Sequence, residues 1–113
     1  MKSTKRRKLI AQGWSVGSVA EFLNLTPEEV RFIEFKLALT DALRRRRAAM
    51  RLTQVALAKR LGSSQSRVAK MEAGDPTVSI DLLLRSLFAL GVGTREIAES
   101  VSRPPRRRRR VVA

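Results

Sequence analysis

Leu52-Thr53-Gln54-Val55-Ala56-Leu57-Ala58-Lys59-Arg60-Leu61-Gly62-Ser63-Ser64-Gln65-Ser66-Arg67-Val68-Ala69-Lys70-Met71-Glu72-Ala73-Gly74 is the stretch that decides the fold. Two hydroxyl residues stand where helices begin. A side-chain oxygen at such a position accepts a hydrogen bond from the first free backbone N–H groups. Thr53 therefore caps a helix over 54–61 that Gly62 stops, since glycine tolerates the left-handed conformation that closes a helix. Ser64 caps a second helix over 65–73, ended by Gly74. Helical spacing turns Val55, Ala58 and Leu61 inward in the first and Val68 and Met71 inward in the second. The result is two short helices joined by the tight turn Gly62-Ser63, a helix-turn-helix arrangement.

The same local signals organise the flanks. Asp75-Pro76-Thr77-Val78 is a loop, Ser79 caps a Leu-rich helix over 80–90, and Gly91 ends it. Thr94 caps a last short helix through Val101. On the other side, Thr26-Pro27-Glu28-Glu29 opens a long helix. Thr26 is the cap, Pro27 the first helical residue, and Glu29 completes a capping box. This helix runs to about Ala49 with Val30, Ile33, Leu37 and Leu43 as its apolar stripe. Arg44 to Arg47 lie in its last turns, where cations complement the helix dipole. Before it, Ser15 caps a short helix over 16–23 with Val16, Val19, Ala20 and Leu23 on one face. No stretch shows strand alternation, so the fold class is all-α.

Composition narrows the function. The 113 residues contain no Cys and no His, which removes the usual parts of nucleophilic and zinc chemistry. The chain reads as a non-enzyme without cofactor or metal. Leu82-Leu83-Leu84 is the longest leucine run, and no aliphatic run approaches the roughly 20 residues of a membrane span. Neither end resembles a targeting segment, which fits a cytoplasmic protein.

Twenty-four Lys and Arg against ten Asp and Glu give a net charge of +14. Lys2, Lys5, Arg6, Arg7 and Lys8 supply +5, and Arg103 with Arg106 to Arg110 supplies +6. The body between them carries only +3, unevenly: 44–74 holds +8, while 9–43 holds −3 and 75–102 holds −2. A surface of this kind calls for a polyanionic partner, nucleic acid before acidic membrane. The expected organisation is a basic arm at 1–13, a helical extension at 14–39, the helix-turn-helix domain at 40–102, and an Arg-rich tail at 103–113 that is disordered when free.

Leu52-Thr53-Gln54, Leu57-Ala58, Leu61-Gly62, Ser64-Gln65-Ser66, Val68, Met71-Glu72 and Gly74 together resemble the phage-repressor (XRE) family, over about residues 40–92. The implied fold is a lambda-repressor-like helix-turn-helix domain. Gly13-Trp14-Ser15-Val16, Phe22 to Glu29, Ile33-Glu34, Lys36-Leu37 and Met71 to Ser79 further resemble HigA-type antitoxins. That likeness implies a homodimeric repressor of double-stranded operator DNA that also neutralises a RelE-like, mRNA-cleaving toxin.

The resemblance also assigns residues. The helix beginning at Gln65 would lie in the major groove with Gln65 on a base edge, where its amide suits adenine. Ser66 and Lys70 match further groove-facing positions, and Arg67 can fork onto guanine or clamp a phosphate. Gln54 matches a phosphate contact at a helix start. Ser64 is first a cap, with a phosphate contact as its second reading. Arg47 and Glu72 match an internal salt bridge. Only some of Arg44, Arg45, Arg46 and Arg51 can reach phosphates. Asp75 departs from the basic or amide residues common in that loop.

Shifted by 38 residues, the leader mirrors the motif: Leu23 on Leu61, Thr26 on Ser64, Val30 on Val68, Ile33 on Met71 and Glu34 on Glu72. Glu28 and Glu29 then occupy would-be reading positions, where carboxylates repel phosphate. They are candidates for docking a basic partner such as the toxin; the alternative is a coincidental helical hairpin. Trp14 and Phe22 are core anchors or partner contacts. The competing functions are a stand-alone regulator without a toxin and an RNA-binding protein. Aromatic residues are only 4% of the chain, which leaves few stacking platforms for RNA.

Overall fold

The computed structural model describes residues 23–102, which form five α-helices and no strand. They are α1 (Pro27–Ala49), α2 (Gln54–Leu61), α3 (Gln65–Glu72), α4 (Ile80–Ala89) and α5 (Thr94–Ser102). The leader helix expected over 16–23, save Leu23, lies outside the described residues, as do both basic arms, Trp14 and Phe22.

Four of the helices start on the side chains that the sequence names. The Thr26 hydroxyl accepts from Glu29 N–H while the Glu29 carboxylate accepts from Thr26 N–H, completing the capping box. Ala56, Arg67 and Leu82 N–H donate to the oxygens of Thr53, Ser64 and Ser79 at 3.0, 3.1 and 3.0 Å. Each bond satisfies a donor that the helix itself leaves unpaired. Thr94 is an exception: it is the first residue of α5 rather than its cap. The preceding Gly93 N–H instead donates to Glu96 Oε1 at 3.0 Å.

Helix ends follow one scheme. After α2, Gly62 turns left-handed (φ 66°), its N–H bonds Lys59 O, and Ser63 N–H reaches back to Ala58 O at 2.8 Å. The chain reverses there with the Ala58 and Lys59 carbonyls both paired. At the end of α1 the left-handed position falls on Arg51 (φ 57°), with Leu52 N–H bonding Arg47 O. A side chain there costs about 1 kcal/mol relative to ordinary backbone.

α1 is the central helix, packed on α3, α4 and α5, while α2 pairs with α3. Leu39, Leu43, Leu57, Val68, Met71, Leu83 and Leu87 are the large side chains fully removed from water. Two parts of the expected inward pattern need correction. Val55 faces solvent, and its place in the core is taken by Leu57 beside Ala58. In α1, Ile33 and Leu43 are buried as expected, but Val30 and Leu37 are half-buried, and Leu39 and Ala42 belong to the core instead. A helix touching three neighbours buries a face wider than one stripe. α3 and α4 each end one residue earlier than the sequence predicts, and α5 one later.

Lys36 ties the first half of α1 to the loop after α3. Its ammonium donates to Asp75 O and Pro76 O, both at 3.4 Å. Burial pushes its pKa below the ordinary lysine value, with Asp75 partly opposing.

Candidate nucleic-acid interface

The end of α1 and the start of α2 meet at one carboxylate at the end of α3. Glu72, on the inner side of α3, is nearly buried. Its Oε2 accepts from Arg47 Nε at 2.5 Å, and its Oε1 accepts from Arg47 Nη2 at 2.8 Å and from Gln54 Nε2 at 3.1 Å. Arg47 Nη1 also donates to Leu52 O at 2.9 Å, tying the same group to the segment leading into α2. Burial alone would push the Glu72 carboxyl up. The bonds from Arg47 and Gln54, with the charges of Arg47 and Arg44, outweigh it and hold the carboxyl below the usual carboxylate range. The bond from Glu72 in turn raises the Arg47 pKa.

This charge fixes the amides in front of it. A carboxylate only accepts, so Gln54 must turn its NH2 toward Glu72 and its carbonyl outward. That carbonyl accepts from Gln65 Nε2 at 2.8 Å. Gln65 must therefore donate inward, which leaves its Oε1 and its second amide hydrogen for another molecule. An acceptor and a donor side by side match the N6 and N7 edge of adenine.

The remaining expected residues of α3 lie round the helix from Gln65. Ser64, Ser66, Arg67 and Lys70 line a shallow cleft of about 270 Å³ with Thr77, Val78 and Leu82. Arg67 also borders a larger hollow of about 510 Å³ between the α2–α3 turn and α4, with Arg85 on its far side. The structure thus brings Gln54 and Gln65 together as one pair, and Ser64, Ser66, Arg67 and Lys70 as a second group. Glu28 and Glu29 stand apart, exposed at the start of α1, with Glu29 engaged in the capping box.

The arginine run divides by partner. Arg44 and Arg45 pair with Asp41 at 3.3 and 2.9 Å, Arg46 donates twice to Leu90 O, and Arg47 serves Glu72. Sequence reasoning missed Thr77 in the cleft. Its N–H and hydroxyl both bond Asp75 Oδ1, a local turn that Asp two residues before Thr could have signalled. No local pattern marks the Lys36 tie to the loop. Among the described residues no group of three or more acidic side chains is placed to hold a metal ion, and no helix is long and apolar enough to cross a membrane.

Two capped short helices around a tight turn, with paired amides at their starts, define a helix-turn-helix protein, the class that presents a helix to the DNA major groove. A family model described as a helix-turn-helix domain matches residues 38–100, more than half of the chain, and the chain belongs to that family. No curated protein and no solved structure matches it.

Proposed function

We propose that the protein is a sequence-specific repressor that binds operator DNA as a homodimer and acts as the antitoxin of a HigA-type pair. The observation that supports DNA reading is the chain Arg47–Glu72–Gln54–Gln65, which orients an amide at the start of each motif helix. Gln65 reads an adenine edge while Gln54, held beside it, offers its second amide hydrogen to the adjoining phosphate. Ser64, Ser66, Arg67 and Lys70 extend the contact along α3. One such helix covers few base pairs, so two half-sites about one helical turn apart are required.

The partner-binding half of the proposal rests on the first turns of α1. Glu28, Phe32 and Phe35 recur at helical spacing, and both phenylalanines are exposed. An apolar stripe headed by carboxylates suits a basic partner such as a RelE-like ribonuclease.

Footprinting on the chain's own upstream region, with and without the product of the neighbouring gene, tests both halves. Gln65→Ala is expected to erase the footprint selectively at adenine positions. Equal protection of every sequence would refute base reading. Glu28→Ala with Glu29→Ala should keep the footprint and lose the partner. Unchanged partner binding sinks the docking role, and a footprint indifferent to any neighbouring product leaves a stand-alone regulator.

A further inference from the structure

We propose that Arg51 is a phosphate clamp, the one arginine of the 44–51 cluster that the fold reserves for the DNA backbone; the inference rests on the DNA-binding reading above. Two independent observations meet at this residue.

The first is the sorting of the cluster. Arg44 and Arg45 are occupied by Asp41, Arg46 by the Leu90 carbonyl, and Arg47 by Glu72 and the Leu52 carbonyl. Arg51 is exposed, and among the described residues its side chain makes no hydrogen bond or ion pair. It stands two residues before the Thr53 cap and three before Gln54, whose amide belongs to the proposed reading pair. A free guanidinium is thus placed at the edge of that site, and its planar fork suits two phosphate oxygens.

The second is the backbone. Five described residues lie in the left-handed region: Asn24 (φ 58°), Arg51 (φ 57°), Gly62 (φ 66°), Gly74 (φ 72°) and Gly91 (φ 84°). Three are glycine, the residue with no side chain to clash there, and one is asparagine, whose short polar side chain tolerates that conformation. The remaining one is an arginine whose side chain, among the described residues, makes no hydrogen bond or ion pair. Folding alone would be better served by glycine at 51, so the side chain is retained against the preference of the backbone. Such local conflict points to function.

The two observations predict effects of opposite sign. Arg51→Gly should raise Tm by roughly 4 °C by relieving the left-handed strain. The same variant should bind a mixed-sequence DNA duplex roughly 3- to 10-fold more weakly, with the slope of log K against log salt shallower by about 0.9. Anisotropy titrations at several salt concentrations read both quantities. Arg44→Ala, which removes an arginine already paired with Asp41, is the comparison and should move the slope less. A slope for Arg51→Gly equal to the wild type overturns the clamp while leaving the DNA reading intact. Absence of duplex binding by the wild-type chain overturns both. Equal slope losses in the two variants would mean general charge rather than a reserved contact, and the clamp would fall.

Discussion

Glu72 joins three segments, because one carboxylate pairs with Arg47 at the end of α1 and fixes the amide of Gln54 at the start of α2. Glu72→Gln leaves Arg47 without its countercharge. Arg47 keeps its bond to Leu52 O, and its side chain is 24% exposed. The loss should therefore sit at the low end for a broken buried pair, about 3 kcal/mol, measurable by urea denaturation. The pH dependence has a definite sign. Because the folded carboxyl titrates below its ordinary value, its contribution is complete above the unfolded pKa of about 4.3 and disappears as pH falls through the folded value. The wild type should lose stability on acidification in that window more steeply than Glu72→Gln, and parallel curves would show that the ion pair contributes no linked proton. On the proposed DNA reading, the variant should also relax discrimination at the base assigned to Gln65, since an amide at 72 no longer dictates which way Gln54 points.

At the scale of elements, what the sequence made legible was local. Caps need only an oxygen beside free N–H groups, so Thr26, Thr53, Ser64 and Ser79 named their helices, and Gly62 named the turn. Thr94 misled because a Thr at a helix start can equally be its first residue, and nothing local separates the two. Leu39 was missed for a different reason: which face of a helix is buried depends on how many neighbours it meets, and α1 meets three. Val55 faces solvent on α2, which packs chiefly on α3. The Arg47–Glu72 bridge was legible only through the family likeness, and Gln54 and Gln65 were read one at a time. Their linkage depends on a packing angle that spacing does not encode. The Lys36 tie was invisible because it spans 39 and 40 residues to two backbone carbonyls. It also joins the part of α1 outside the matched domain to the loop lining the α3 cleft. Bonds of 3.4 Å are weak, and a partly buried ammonium loses some solvation, so the two effects nearly cancel. Lys36→Met should accordingly change global stability by less than about 0.5 kcal/mol. Amide exchange at Thr77 and Val78 should nevertheless quicken, because the loop loses its anchor while the core does not. Protection lost evenly over all five helices would contradict this division.

For the whole molecule the question is how +14 is distributed between holding DNA and reading it. The body between the two arms carries only +3, and several of its arginines are internally engaged. The arms hold the rest of the charge, and on the DNA-binding reading they are expected to add to binding. The tail from Arg103 contributes six arginines, and each one that neutralises a phosphate releases counterions and adds about 0.9 to the salt slope. Removing residues 103–113 should weaken binding to operator and to unrelated duplex by the same factor, with a visibly shallower slope for both. The ratio of the two affinities should stay constant, because phosphate contacts carry no sequence information. Gln65→Ala should do the reverse, lowering that ratio while leaving the slope in place. A truncated chain with the wild-type slope would remove the tail from the interface. A truncated chain with a lowered ratio would mean that the tail takes part in reading the operator, and the separation of affinity from recognition would fail.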